Sequence, residues 1–89
     1  MMIRVSEIEQ LGGYRLRFLF SDGAEGEFDF SEIVNEQGSM VEPLRDLDCF
    51  RRVFLEHGAP TWPNGFDVAP GWLYREISAA GNLRPPAVA

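Results

Sequence analysis

The sequence predicts a small α+β domain, in which a small antiparallel sheet of hairpins carries short helices packed on one face. Residues 14–20 and 24–30 each alternate apolar or small side chains with mostly charged ones, the period of a half-buried strand. Short helical patterns come mostly later in the chain, so strands and helices do not alternate as they do in a parallel α/β sheet. The 89 residues suffice for one domain. We place it at residues 1–81 and expect residues 82–89 to form a disordered tail.

Composition limits the functions that this domain can have. Hydrophobic residues make up 45% of the chain, and the formal net charge is −6. Because DNA and RNA binding depends on neutralising phosphates, we expect no direct nucleic-acid binding and partners that are neutral or basic proteins. No apolar run is long enough to span a bilayer, and the N-terminus lacks a signal-peptide pattern. We therefore expect a bacterial cytoplasmic protein without a membrane partner.

The first strand is predicted at Ile3–Glu9, where alternation slips towards Ile8, and Gly12-Gly13 supplies the next turn. The following two strands form a hairpin whose register depends on its loop. A three-residue loop, Ser21-Asp22-Gly23, keeps apolar residues on one face and charges on the other, with glycine in the left-handed position. The predicted pairs are Phe20 with Ala24, Leu16 with Phe28, Arg17 with Glu27 and Arg15 with Asp29. The last two pairs place unlike charges opposite each other.

The remaining elements are short. Ser31 is expected to cap a helical turn over Glu32–Asn35, and a second helix is predicted over about Leu44–Arg52 after Pro43. The strands Val53–Glu56 and Ala59–Trp62 flank His57-Gly58, and Pro60 makes the second an edge strand. A final helix is predicted from Pro70 to about Ser78, with Leu73 and Ile77 on one face and Gly81 as its cap.

No pattern of catalytic residues stands out. Cys49 and His57 are the only residues of their types and could form a thiolate nucleophile, but Cys49 lies in an apolar patch and His57 in a turn. The aspartates have local roles: Asp22 in its turn, Asp46 and Asp48 at a helix start, and Asp29 opposite Arg15. The chain shows no metal-ligand spacing and no phosphate loop. We expect no enzyme activity, no metal and no cofactor.

The segment Thr61–Tyr74, TWPNGFDVAPGWLY, is the candidate functional site, because bulky aromatic residues are unusual in a connection. It either closes the end of the core or forms a surface that another molecule recognises. The residues proposed for recognition are Trp62, Asn64, Asp67, Trp72 and Tyr74. Trp62 could equally belong to the core, and Asp67 could simply bond amides of the Asn-Gly turn or of the last helix. Trp72 is the preferred exposed anchor.

Several motifs occur in order along almost the whole chain. They are Phe20-Ser21-Asp22-Gly23, Phe28-Asp29-Phe30, Glu42-Pro43-Leu44-Arg45-Asp46 with Phe50, Trp62-Pro63-Asn64-Gly65, Asp67-Val68-Ala69-Pro70 and Leu73-Tyr74. The ordered set resembles the family called domain of unknown function 2442, over about Ile3–Glu76. The resemblance implies a small bacterial protein with an α+β domain.

That family has two tendencies that concern function. Some relatives carry a helix-turn-helix domain after this module, which implies a role in transcription regulation. Others are encoded beside a second small protein in a layout similar to toxin–antitoxin pairs, which implies a protein partner. Here only a tail containing Pro85-Pro86 follows the last helix, so we do not expect direct DNA binding.

Two functions are therefore considered for this chain. The first is a non-catalytic protein-interaction module, the antitoxin-like or regulatory member of a two-gene pair. The alternative is a regulatory or sensor domain that binds a small ligand near Trp62 and Asp67. A flat apolar patch with Trp72 exposed would favour the first, and a deep pocket with converging polar groups would favour the second. Unpaired edge strands also make a homodimer an expectation.

Overall fold

A computed structural model describes residues 2–86 and contains two antiparallel sheets with short helices. The elements in chain order are β1 (Val5–Gly12), β2 (Arg15–Phe20), β3 (Glu25–Asp29), α1 (Ser31–Val34), a 3-10 turn (Glu42–Arg45), α2 (Leu47–Phe50), β4 (Phe54–Glu56), β5 (Ala59–Thr61) and α3 (Pro70–Ala79). The first sheet has the order β1-β2-β3, and β4 pairs with β5 in a separate sheet. The predicted α+β class is confirmed, with two small sheets.

The β2–β3 hairpin has the predicted register. Leu16 lies opposite Phe28, and the Phe20 amide donates to the Ala24 carbonyl at 2.8 Å. Gly23 closes the loop with φ 89°, a left-handed conformation that glycine adopts without a steric penalty. The Asp22 carboxylate accepts from the Ala24 amide at 2.9 Å, which is the turn role predicted for it.

The ion pairs on the solvent face differ from those expected. Arg15 pairs with Glu27 and Arg17 with Glu9 of β1, both at 2.7 Å. The expected partner Asp29 instead accepts a hydrogen bond from the Ser31 amide at 2.9 Å. Long side chains reach diagonal neighbours across a sheet, and Arg17 also faces Glu9 on its other side. These pairs are exposed, so each contributes about 0–1 kcal/mol.

The core lies between one face of the three-stranded sheet and the helices. Its buried members include Leu16, Phe18, Phe20, Phe30, Val34, Leu44, Phe50, Trp62, Leu73 and Ile77. Helix α3 crosses β3 closely enough that a Cβ on Gly26 would lie 2.5 Å from the Ile77 Cγ2 atom. The same Cβ would lie 2.9 Å from the Asn82 backbone oxygen, so glycine at this position lets α3 and the chain after it approach β3 this closely.

The helices between the sheets are shorter than predicted. The expected helix over Leu44–Arg52 is divided at Asp46, whose extended backbone ends the 3-10 turn and whose carboxylate caps α2 by accepting from the Asp48 amide at 2.9 Å. Ser31 is the first residue of α1 rather than its cap, because Phe30 occupies that position. The turn between β4 and β5 is His57-Gly58, with φ 52° and 79°, as a two-residue hairpin of type I′ requires.

Helix α3 ends as predicted, but the chain beyond it does not leave the domain. The Gly81 and Asn82 amides donate to the Ser78 and Ile77 carbonyls, both at 3.0 Å, in a Schellman arrangement. Arg84 then pairs with Glu25 at the edge of β3 through two backbone hydrogen bonds. The expected disordered tail is therefore wrong for Asn82–Arg84, because β3 offers unpaired backbone groups there. Residues 87–89 of that tail lie outside the described residues.

Candidate functional site

The five residues proposed for recognition do not form one surface. Trp62 belongs to the core, with 1% of its surface exposed. Its indole Nε1 donates to the Phe50 carbonyl at 2.8 Å, and its ring packs against Phe30, Phe50 and Phe66. Trp62 is therefore a core residue and cannot form part of a recognition surface.

Asn64 organises the loop that holds Trp62 in place. Its side-chain oxygen accepts from the Phe66 amide at 3.2 Å, and the Gly65 amide donates to the Trp62 carbonyl at 2.9 Å. Its side-chain nitrogen donates to the Met40 carbonyl at 2.8 Å. Both ends of the exposed Asn64 side chain are thus engaged, so its role in this structure is to tie two loops together.

Tyr74 of α3 connects that helix to the β2–β3 turn. Its hydroxyl donates to the second carboxylate oxygen of Asp22 at 2.7 Å, and its ring meets Phe20 edge-on at 5.0 Å. The pKa of Asp22 lies below its ordinary value, first because of this hydrogen bond and second because of the bond from Ala24. The pKa of Tyr74 is raised, because ionisation would lose the same bond. This contact was not predicted, because it joins residues far apart in the chain.

Asp67 and Trp72 line one shallow apolar groove of about 420 Å³, here called the Trp72 groove. The other lining residues are Ile33, Glu36, Val41, Phe66, Val68 and Ala69. Helix α1 and the loop after it form one wall. The segment before α3 and the first turn of α3 form the other.

Trp72 was predicted to be exposed but is half-buried, and its ring meets Phe28 edge-on at 5.7 Å. Within residues 2–86, its indole N–H has no hydrogen-bond acceptor. The side chain is therefore positioned by packing on one side while it keeps an apolar surface and a polar group available on the other. This combination is typical of residues that dominate protein interfaces.

Asp67 has none of the structural roles considered for it. Asn64 supplies the side-chain bond in the turn, and α3 begins after Ala69 without a side-chain cap. In the described part of the chain, the exposed Asp67 carboxylate takes part in no hydrogen bond or ion pair. Within the described residues, the Glu36 carboxylate on the opposite wall likewise takes part in no hydrogen bond or ion pair. Two unpaired carboxylates therefore border the apolar groove.

Sequence reasoning missed Glu36 and Ile33, because both lie outside the aromatic segment. Ile33 could have been proposed from its position beside buried Val34 in a short helix. Nothing in the local sequence distinguishes Glu36 from other exposed glutamates, since its proximity to Asp67 arises only in the folded chain.

The residues considered for catalysis lie on different elements. Cys49 is in α2 and packs partly against the core, while His57 is in the β4–β5 turn. No hydrogen bond joins them within residues 2–86. In the same range, no three histidine, cysteine, aspartate or glutamate side chains are grouped so that they could hold a metal ion.

Comparisons with known proteins place the chain in a family without assigning it a role. Among the described residues, no helix has both the length and the apolar character needed to cross a membrane. No significant match emerges among curated proteins or among solved structures. A family model described as "Protein of unknown function (DUF2442)" matches residues 5–79. The chain therefore belongs to the DUF2442 family.

Proposed function

We propose that this domain is a non-catalytic protein-interaction module and that its partner occupies the Trp72 groove. The observation that carries the proposal is the state of Trp72, which packs on Phe28 but leaves its indole N–H unpaired within residues 2–86. An aromatic side chain held in place loses little entropy when a partner binds it.

The borders of the groove indicate the chemistry of the partner. Apolar side chains form most of the lining, while Glu36 and Asp67 contribute carboxylates without partners in the described structure. A segment with apolar residues beside an arginine or lysine would satisfy both features. The net charge of −6 attracts such a segment over a longer range.

A small-ligand sensor is less well supported. That alternative needs an enclosed pocket between Trp62 and Asp67, but Trp62 is buried and does not line the groove. The cavity beside Asp67 is open and mostly apolar, whereas small-ligand sites usually enclose most of the ligand and place several polar groups around it.

The cellular role that we propose is that of the regulatory or antitoxin-like member of a two-gene pair in the bacterial cytoplasm. The available groove and the gene layout implied by the family resemblance support this assignment. The product of the adjacent gene is therefore the first partner to test.

The test begins with a pull-down from the native cell and continues with calorimetric titration of the purified partner. Trp72→Ala removes the aromatic anchor and should weaken binding at least about 30-fold, as expected for a central interface tryptophan. Asp67→Asn removes one charge and should weaken binding several-fold. The difference in affinity between Asp67→Asn and the parent should become smaller as salt is added, because salt screens the attraction between the Asp67 carboxylate and a basic partner.

Phe54→Ala provides the matched control, because Phe54 is an exposed aromatic residue, 45% accessible, on β4 and outside the groove. It should bind the partner as the parent does. Equal binding by Trp72→Ala, Asp67→Asn and the parent, with all variants folded, would refute the Trp72 groove as the binding surface.

A further inference from the structure

A second groove, of about 410 Å³, lies where the N-terminal segment, the β4–β5 turn and the start of α3 meet. Its polar or charged lining residues are Arg4, His57, Tyr74 and Arg75, and its apolar lining includes Met2, Ile3 and Pro70. We call it the Arg4–Arg75 groove. It shares no lining residue with the Trp72 groove.

This groove concentrates positive charge on an acidic protein. Arg4 and Arg75 take part in none of the ion pairs within residues 2–86, which involve Arg15, Arg17 and Arg84. The Asp22 carboxylate lies beside the groove, where it accepts the hydrogen bond from Tyr74. Helix α3 begins beside Arg4 and Arg75 with no acidic residue in its first turn and no side-chain cap. The positive end of the helix dipole therefore adds to the two guanidinium charges.

Contacts position the backbone and side-chain stem of Arg4 and the guanidinium of Arg75. The Arg4 amide donates to the Ser21 Oγ atom at 3.1 Å, and its carbonyl accepts from the Ser21 amide at 2.8 Å. Its side-chain stem covers Gly58, where an added Cβ would lie 2.7 Å from the Arg4 Cβ atom. The Arg75 Nη1 atom would lie 3.6 Å from a Cβ on Gly71, so its guanidinium extends over the first turn of α3.

We propose that the Arg4–Arg75 groove binds an acidic segment of another protein, in which aspartate or glutamate residues alternate with apolar ones. Guanidinium groups bind carboxylates through paired hydrogen bonds, which accounts for Arg4 and Arg75. The apolar lining accounts for the neighbouring residues of the segment. The net charge of −6 opposes any anion, so the proposal concerns a short segment whose few carboxylates two guanidinium groups can match. Nucleic acid fits poorly, because two arginines would neutralise only a small part of its phosphate charge. The proposal does not depend on a partner in the Trp72 groove.

The test measures fluorescence anisotropy of a short fluorescein-labelled peptide in which aspartate and glutamate alternate with leucine and phenylalanine. The intact chain should bind this peptide, and a matched peptide with asparagine and glutamine should bind at least about tenfold more weakly. The double variant Arg4→Gln/Arg75→Gln should lower affinity for the acidic peptide by a similar factor.

The matched control is Arg51→Gln/Arg52→Gln, which removes the same charge from two exposed arginines outside the groove. It should change affinity less than about twofold, and Trp72→Ala should leave peptide binding unchanged. Equal losses in the two double variants would overturn the proposal, because they would show attraction by net charge alone. Failure of the folded parent to bind the acidic peptide would also overturn it. Neither result would affect the test of the Trp72 groove.

Discussion

Trp62 and Trp72 lie in the same short segment and use their indole groups differently. The Trp62 N–H satisfies the Phe50 carbonyl inside the core, whereas the Trp72 N–H has no acceptor within residues 2–86. Leaving a buried carbonyl without its donor lowers stability by about 1–3 kcal/mol. The bond from Trp62 to the Phe50 carbonyl therefore contributes to the stability of the fold. The Trp72 N–H makes no such contribution to the described fold, and in the function that we propose it bonds to the partner.

The variant Trp62→Phe should lower the free energy of unfolding by about 3 kcal/mol, since it leaves the Phe50 carbonyl unpaired and a gap in the core. Trp72→Phe is the matched control, because that side chain is half-buried and makes no hydrogen bond in the described structure. It should cost less than about 1 kcal/mol. Urea unfolding of both variants measures the difference, and equal costs would contradict the roles assigned to the two residues.

At the scale of elements, the segment after α3 protects an edge of the sheet. The Glu25 amide and carbonyl point outward from β3 and pair with the Arg84 carbonyl and amide, at 3.0 and 2.7 Å. Leu83 packs against the core beside them. An unpaired edge strand is a site where chains associate, so we expect this short segment both to stabilise the domain and to limit self-association.

Ending the chain after Gly81 should therefore lower the melting temperature and promote dimers through β3. Leu83→Ala removes the apolar contact but keeps the backbone pairing. It should cost about 1–2 kcal/mol without changing the oligomeric state. Thermal unfolding and light scattering at several concentrations distinguish the two effects. A shortened chain with the oligomeric state and melting temperature of the parent would show that the edge needs no cover.

At the scale of the whole molecule, the parts predicted correctly are those determined by neighbouring residues. The β2–β3 register follows from alternation and the Gly23 turn, and α3 begins at Pro70 as its sequence indicates. The parts that were left open or missed depend on distant contacts: the bond from Trp62 to Phe50 decides between core and surface for Trp62, and the pairing of Arg84 was not expected. The Trp72 groove was predicted only in part, because one of its walls comes from residues near α1.

The bond between Tyr74 and Asp22 joins the last helix to the first hairpin, so it should make the stability of the whole domain depend on pH. The pKa of Asp22 is lowered below 3.8, so its contribution exists above that value and is lost as acid protonates the folded carboxylate. The pKa of Tyr74 is raised above 10.0, so its contribution exists below that value and is lost in stronger base.

The variant Tyr74→Phe should accordingly melt at a lower temperature than the parent between about pH 5 and pH 9. The difference should shrink below pH 3.8 and above pH 10.0. Tyr14→Phe is the control in acid, because the Tyr14 hydroxyl donates to the Arg45 backbone carbonyl, which gains no proton there. Circular dichroism melts across the pH range provide the measurement. A Tyr74→Phe difference that stayed constant down to the lowest pH would mean that the Asp22 charge does not strengthen the bond between the helix and the hairpin.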